Sequence, residues 1–142
     1  MKILVSACLL GHACRYDGHS KPHDGVIALC QKHTLIPVCP EIYGGLPTPR
    51  KPSEIVGERV VNSDGIDVTE EYARGAAEAL RMAEMFSCDA AILKAKSPSC
   101  GKGKVYDGSF SHTLTAGDGV TVKLLTEHGI KVYTEDEIAE LF

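Results

Sequence analysis

Four short apolar runs, each separated from the next by a helical or irregular stretch, constrain the fold of this chain most. They are KILVSA at residues 2–7, LIPV at 35–38, AAILK at 90–94 and IKVY at 130–133. Runs of this length bounded by turn residues are typical of buried strands. Strands that alternate with helices form a mostly parallel sheet covered on both faces. The sequence therefore predicts a three-layer α/β sandwich with a Rossmann-like sheet of about four strands.

The segments between these runs predict the remaining elements. Helices are expected over residues 25–33 with Asp24 as N-cap, over 69–86 with Thr69 as N-cap, over 119–128, and from 135 onwards. Met82, Met85 and Phe86 are predicted to be core residues of the second helix. A small hairpin is expected within residues 55–69, whereas four prolines in residues 40–54 predict an irregular loop there.

Length and charge narrow the class of protein. A chain of 142 residues fits one domain, residues 1–142, that can bury a core of its own. The formal net charge of −4 argues against stable binding to nucleic acid or to an anionic membrane, since both need a basic surface. The N-terminal apolar run is too short to span a membrane and has no cleavage-like site. We therefore expect a cytoplasmic protein that acts on a small molecule.

Three cysteines each lie in a turn after one of the predicted strands. Cys8 stands in SACLLG, Cys39 in PVCPE and Cys100 in SPSCG. Ligands of parallel sheets gather beyond the carboxyl ends of the strands, so we expect the three thiols to meet at one edge of the sheet. Three thiolates at one place indicate a metal site.

The other three cysteines leave alternatives open. Cys30 and Cys88 are expected to be packing residues, and Cys14, in a polar loop close to Cys8, is a reserve fourth ligand. Six cysteines can also form three disulfides, but that is typical of secreted proteins and no signal peptide is evident. Spacing alone makes a weak metal signature, because no CxxC pair is present.

The motifs SACLLGHACRYDG, VCPEIYGGLPTPR, ILKAKSPSCGKGKVYDGSF and GIKVYTEDEI together resemble a family of small bacterial domains that includes the iron–sulfur thiouracil desulfidases. The resemblance covers essentially the whole chain. It implies a 4Fe-4S cluster held by Cys8, Cys39 and Cys100, and catalytic roles for Glu41 of CPE and Ser97 of SPSCG. The implied reaction is a non-redox removal of sulfur from a thiolated pyrimidine, as base, nucleoside or nucleotide, to give a uracil product and sulfide.

The chemistry of these residue types suits that reaction. Three thiolates leave one iron of a four-iron cluster with an open position, and a thiocarbonyl sulfur is a soft ligand for iron. A carboxylate two residues beyond a ligand can activate water and return a proton, and a serine hydroxyl can relay one. Alternatively, Glu41 caps a helix or pairs with Arg50, and Ser97 before Pro98 only forms a turn.

Other functions remain open at this point. A thiol phosphatase needs five residues between its cysteine and arginine, but six separate Cys8 from Arg15. A non-enzymatic module that binds zinc or a cluster would use Cys14 as a fourth ligand and close the site. Lysines 94, 96, 102 and 104, with Arg50 and Lys51, are either solvated or bind a substrate phosphate. The histidines 12, 19 and 23 are expected to be solvated, and His112 to line the pocket.

Overall fold

The computed structural model describes residues 1–142 and contains eight strands and four α-helices. In chain order they are β1 (Lys2–Ser6), α1 (Asp24–Ala28), β2 (Thr34–Val38), α2 (Pro40–Tyr43), β3 (Ser53–Val56), β4 (Arg59–Asn62), α3 (Thr69–Met85), β5 (Ala90–Leu93), β6 (Lys104–Tyr106), β7 (Leu114–Ala116), α4 (Val120–Glu127) and β8 (Lys131–Thr134). Short 3-10 turns occupy Ala7–Leu10, Leu29–Gln31 and Ala139–Leu141.

The four predicted strands form one parallel sheet in the order β2-β1-β5-β8. The central strand β1 pairs with β2 on one side and with β5 on the other, and β8 pairs with β5. The chain thus turns outward from β1 in both directions, which places a topological switch point at the carboxyl end of β1. The predicted parallel sheet of four strands is confirmed.

Two apolar layers cover the two faces of this sheet. Alternate residues of the strands point to opposite faces, and α3 and α4 pack on one face against Leu4, Leu93 and their neighbours. On the other face, α1 and the 3-10 turns pack against Ile3 and Val5. Each fully buried Leu or Ile contributes roughly 1.5–3 kcal/mol. The three-layer sandwich is therefore confirmed.

Helix starts differ in detail from the sequence prediction. The N-cap of α1 is His23, whose Nδ1 accepts a hydrogen bond from the backbone N–H of Val26 at 3.2 Å, and Asp24 is the first helical residue. Thr69 is likewise inside α3, because its hydroxyl is used elsewhere: it accepts the backbone N–H of Val60 at 2.8 Å. The predicted caps Asp24 and Thr69 were therefore wrong by one position.

The predicted core of α3 was only partly right. Met82 packs against the core, but Met85 is 59% and Phe86 41% exposed at the end of the helix. Small residues fill the inner face instead, since Ala76 and Ala79 are buried. Alanine and glycine on this face let α3 lie close to its neighbours.

Two loops contain more regular structure than expected. The hairpin β3–β4 is present with its turn at Gly57, as predicted, but β3 starts at Ser53 and α2 lies inside the segment expected to be irregular. Pro40 occupies the first position of α2, where a missing N–H costs nothing. A second hairpin, β6–β7, was not predicted. The expected C-terminal helix shrinks to the 3-10 turn Ala139–Leu141.

The helices of this fold are amphipathic or short. No helix has the combination of length and apolar composition that crossing a membrane requires.

Candidate active site

The ends of three neighbouring strands bring three thiols to one cavity. Cys8 lies in the 3-10 turn after β1, Cys39 directly follows β2, and Cys100 lies in the turn region after β5. All three line a cavity of about 390 Å³. We call this side of the cavity, formed by Cys8, Cys39 and Cys100, the strand-end wall.

The arrangement of the thiols suits a polynuclear cluster. No three His, Cys, Asp or Glu side chains converge as binding of a single metal ion requires. In a 4Fe-4S cluster each thiolate binds a different iron, so the sulfur atoms surround a cavity and do not meet at a point. Three soft thiols that line one cavity therefore fit such a cluster.

The surroundings of Cys39 and Cys100 keep these two thiols protonated when no cation is near, because they raise the pKa of each. Burial raises the pKa of Cys100 to about 12, although the hydroxyls of Ser6 and Ser99 hydrogen-bond its sulfur. The pKa of Cys39 is raised as well, through a hydrogen bond with the Cys14 thiol and through burial. Metal binding must then displace the protons, so loading of the site releases protons to solvent.

Cys14 belongs to the same cavity although it lies in a loop. Its thiol lies beside those of Cys8 and Cys39, and its carbonyl oxygen accepts a hydrogen bond from Arg50 Nη2 at 2.9 Å. It is 8% exposed. Of the two cysteines predicted to be packing residues, Cys88 packs against the core, but Cys30 is exposed.

Glu41 is held at the cavity by donors from three different segments. It lies in the first turn of α2, two residues after Cys39. Arg50 Nε donates to its Oε1 at 3.0 Å and the Tyr72 hydroxyl donates to the same oxygen at 2.9 Å. The side chains of Arg50 and Glu41 are only 5% and 15% exposed. The pairing with Arg50 that the sequence left open is therefore present, and it lies inside the cavity.

The other oxygen of Glu41 faces two serines. Ser99 Oγ lies 3.2 Å from Oε2 and Ser97 Oγ lies 3.5 Å from it, and the two hydroxyls are 3.0 Å apart. Ser97 Oγ also accepts the backbone N–H groups of Ser99 and Cys100, which fixes the turn. Ser97 is partly exposed to the cavity, whereas Ser99 is 1% exposed. Ser97 thus has both a turn-forming role and access to a ligand.

Close backbone contact fixes α2, and with it Glu41, against α3. A Cβ added to Gly44 would collide with the backbone carbonyl of Glu71, and one added to Gly75 would collide with that of Pro40. Only glycine allows this approach. The contact brings Tyr72 of α3 within hydrogen-bonding reach of Glu41.

Several contributors to the site were missed from the sequence, among them Tyr72 and Glu54. Tyr72 was assigned only to a helix, 31 residues away from the carboxylate it contacts. Glu54, at the start of β3, also lines the cavity and is 8% exposed. No local pattern marks either residue, because each reaches the site only through tertiary packing.

Aromatic side chains line the part of the cavity next to the hairpins. Tyr106 belongs to β6, and Phe110 and His112 belong to the loop between β6 and β7. We call the part formed by Glu54, Tyr106, Phe110 and His112 the hairpin wall. The expectation that His112 lines the pocket is met. Tyr16, from the long loop after β1, also contributes.

The basic residues near the cavity have different partners. Lys94 pairs with Glu135 at 2.9 Å, Lys102 pairs with Glu137 at 3.1 Å, and Arg50 is used by Glu41. Lys96 lines the cavity and is exposed. Among the loop histidines, His12 and His19 are exposed and His23 is the α1 cap.

Comparisons with known proteins agree with one another. The family model described as 2-thiouracil desulfurase matches residues 3–137. The protein YbbK of Bacillus subtilis (strain 168) is 40% identical over 149 residues, with 98% of this chain and 99% of YbbK covered. A solved structure described as the 4Fe-4S-dependent thiouracil desulfidase TudS is 48% identical and superimposes with a TM-score of 0.93, covering 99% of this chain and 94% of that one.

Proposed function

The chain belongs to the 2-thiouracil desulfurase family, and on that premise we propose that its cavity removes the sulfur atom of a thiolated pyrimidine to leave a uracil-type product and sulfide. The main support for this proposal is that Glu41 and Ser97 lie in the same cavity as three thiols, which come from the ends of three strands. The related solved protein is named as dependent on a 4Fe-4S cluster.

Cys8, Cys39 and Cys100 are the ligands that we propose for the cluster. Each follows a different strand of the parallel sheet, so the sheet itself fixes their spacing. When bound by three thiolates, the cluster supplies an iron with an open position that acts as a Lewis acid toward a soft thiocarbonyl sulfur. The protein supplies the remaining chemistry.

Glu41 is the proposed general base. Arg50 and Tyr72 both bind Oε1 and hold the carboxylate in place, which leaves Oε2 as the oxygen that exchanges protons. Burial raises the pKa of Tyr72, so this hydroxyl stays protonated and keeps donating. Oε2 takes a proton from the attacking water and later returns one to the departing sulfur. Such proton transfer contributes about 10²–10⁴-fold in rate.

Ser97 is proposed to bind the substrate or relay a proton. Its hydroxyl can donate to Glu41 Oε2 or to a ring atom, while its lone pairs accept two backbone N–H groups. Ser99 also lines the cavity but is only 1% exposed, so its proposed role is to orient Ser97 and Glu41 through its hydroxyl.

Iron and acid-labile sulfide per chain, measured after anaerobic reconstitution, test the ligand set together with turnover of 2-thiouracil. We expect four irons in the wild type and in Cys30→Ala, whose thiol is exposed. Cys8→Ala, Cys39→Ala and Cys100→Ala should each lose most of the iron and all turnover. Full iron content in any of these three variants would contradict the ligand assignment.

Cys14 distinguishes the enzyme from a closed metal-binding module. Its thiol lies beside two of the proposed ligands, so a fourth thiolate is within reach of the same site. For a three-cysteine enzyme we expect Cys14→Ser to keep its iron and its turnover. Loss of iron in that variant would favour the module, in which the cluster is fully ligated and no open position remains.

The proposal also covers the form of the substrate, the domain organisation of the chain and its location. Lys96 is exposed at the cavity and suits binding of a phosphate. The proposed site therefore accepts a thio-nucleotide as well as a free base. We infer that residues 1–142 act as a single domain, since the family match spans 3–137. A cytoplasmic location and the absence of stable nucleic-acid binding remain predictions from the sequence.

A further inference from the structure

The aromatic residues of this chain are concentrated around the cavity. Half of its eight Tyr and Phe residues line it, and they come from three separate segments: Tyr16, Tyr72, Tyr106 and Phe110. Tyr72 is buried and bound to Glu41, but Phe110 and Tyr16 are 37% and 40% exposed. Exposed aromatic faces at a cavity are typical of sites that hold a flat ligand.

The loop between β6 and β7 has an uncommon backbone. Phe110 and His112 have φ angles of +56° and +58°, in the left-handed region that residues with side chains rarely adopt. Backbone of this kind persists only where surrounding contacts determine it, and it concentrates at ligand sites. The rings of Tyr106 and His112 pack edge to face with their centroids 6.1 Å apart, so the His112 ring is packed against β6.

Glu54 supplies the contacts that hold this loop. Its Oε1 accepts the backbone N–H of Gly108 at 3.0 Å and that of Phe110 at 3.2 Å. The residue is 8% exposed. Two backbone donors offset part of the cost of burying a carboxylate. The loop also lies directly on β3, because a Cβ on Gly108 would come 2.7 Å from the carbonyl oxygen of Ile55.

We propose that Glu54 is a positioning residue that holds residues 107–113 so that Phe110 and His112 bind the pyrimidine ring of the substrate. Phe110 offers its face to the ring, and a nitrogen of His112 offers a hydrogen bond to a ring carbonyl or N–H. The inference rests on the proposed function and adds the part of the site that recognises the ring. The strand-end wall then acts on the sulfur atom of the substrate, and the hairpin wall binds its ring.

Kinetics of Phe110 variants test the ring contact. In cluster-loaded enzyme with 2-thiouracil, Phe110→Ala should raise KM about 10-fold or more, because stacking of a base on an aromatic side chain contributes strongly to binding. The effect on kcat should be smaller, and iron per chain should equal that of the wild type. Phe110→Tyr should restore most of the affinity. Phe86→Ala, an exposed phenylalanine outside the cavity, is the matched control.

Variants of Glu54 test the positioning role. Glu54→Gln keeps an Oε1 that can accept both N–H groups, whereas Glu54→Ala has no acceptor. Glu54→Ala should therefore raise KM several-fold and speed chymotrypsin cleavage after Phe110, and Glu54→Gln should fall closer to the wild type in both measurements. Equal cleavage rates and equal KM values in Glu54→Ala and wild type would overturn the positioning role.

Binding of uracil, the expected product, separates this inference from the proposed function. If the wild type turns over 2-thiouracil but Phe110→Ala has an unchanged KM, the ring contact is wrong and the function stands. If uracil binds the wild type and binds Phe110→Ala at least about 10-fold more weakly, the ring contact is supported even without turnover. A loaded wild type that neither turns over 2-thiouracil nor binds uracil overturns both.

Discussion

The strand-end wall and the hairpin wall enclose one cavity but differ in construction. The strand-end wall stands on the parallel sheet, and its cysteines are fixed by β1, β2 and β5, of which β1 and β5 are largely buried. The hairpin wall is formed by β3 and by the loop between β6 and β7, which the carboxylate of Glu54 holds. The first wall is supported by the core, whereas the second depends on a few polar contacts near the surface.

This difference in construction fits the proposed function of each wall. Bound metal and a general base need atoms held within about 0.5 Å, and side chains on rigid elements meet that need better than loops. Contacts to different pyrimidines need less rigidity, and recognition residues commonly stand on loops carried by a rigid scaffold. Changes in the strand-end wall should therefore affect the chemical step, and changes in the hairpin wall should affect substrate affinity.

The largest effect is expected from Glu41→Gln. The amide cannot accept a proton from water, so kcat for 2-thiouracil should fall about 10²–10⁴-fold while iron per chain stays at the wild-type value. Steady-state kinetics combined with iron analysis would measure both. Glu58→Gln, an exposed carboxylate in the turn between β3 and β4, is the control. Full turnover in a loaded Glu41→Gln enzyme would remove the general-base role.

A pair of glycine variants compares the support of α2, which carries Glu41 next to the strand-end wall, with the support of the hairpin wall. In Gly75→Ala the new methyl group meets the backbone carbonyl of Pro40, so α2 must shift and the free energy of unfolding should fall by about 3 kcal/mol. In Gly108→Ala, with φ +93° and the new Cβ 2.7 Å from the carbonyl oxygen of Ile55, the free energy of unfolding should fall by at least about 1–2 kcal/mol.

Urea unfolding of the cluster-free proteins would measure both changes in the free energy of unfolding. Steady-state kinetics of the cluster-loaded enzymes would measure the effects on kcat and KM. Gly75→Ala should lower kcat, because Glu41 moves with α2, and Gly108→Ala should raise KM. A higher KM in Gly75→Ala together with a lower kcat in Gly108→Ala would contradict these separate roles in catalysis and in substrate binding.

A smaller effect is expected from Tyr72→Phe. The change removes one of two donors to Glu41 Oε1 and leaves Arg50 in place, so the carboxylate becomes less constrained. We expect kcat to fall about 10-fold, which corresponds to the roughly 1.5 kcal/mol of a hydrogen bond to a charged group. Steady-state kinetics of the cluster-loaded variant with 2-thiouracil would measure this fall. Tyr43→Phe, an exposed tyrosine at the end of α2, serves as its control.

The smallest effect concerns Glu135, which supports the turn that carries Ser97 and Cys100. The Glu135 carboxylate pairs with Lys94 and accepts the backbone N–H of Ala95 at 2.8 Å. Burial opposes ionisation, but the Lys94 and Ala95 contacts outweigh it and lower the pKa of Glu135. Because the folded pKa lies below the unfolded one, the stabilisation is present above about pH 4.5 and is lost as the pH falls through the folded value.

Glu135→Gln should therefore cost about 1 kcal/mol at pH 7 and less at a pH well below 4.5. Urea unfolding of cluster-free wild type and variant at the two pH values would measure the difference. An equal cost at both pH values would mean that the charge of Glu135 has no part in the stabilisation.

The sequence predicted the parallel sheet because apolar runs and helices alternate over the whole chain. It also placed Cys8, Cys39 and Cys100 after strands, where parallel topology brings turns to one edge. It did not predict α2 or the β6–β7 hairpin, since prolines and glycines dominate those segments and hide short elements. Exposure of Met85 and Phe86 was missed because small residues, and not large ones, face the core from α3.

By itself, the sequence determined the fold class, the edge of the sheet at which the thiols gather and the identity of Glu41 and Ser97 as candidates for catalysis. The first two conclusions depend on local patterns and on rules of sheet topology, whereas the candidates Glu41 and Ser97 are implied by the resemblance to the thiouracil desulfidase family. Only the tertiary structure decided that Arg50 and Tyr72 hold one oxygen of Glu41, and that Glu54 holds the loop bearing Phe110. These contacts join residues 9 to 56 positions apart, and long-range packing of that kind leaves no local pattern in the chain.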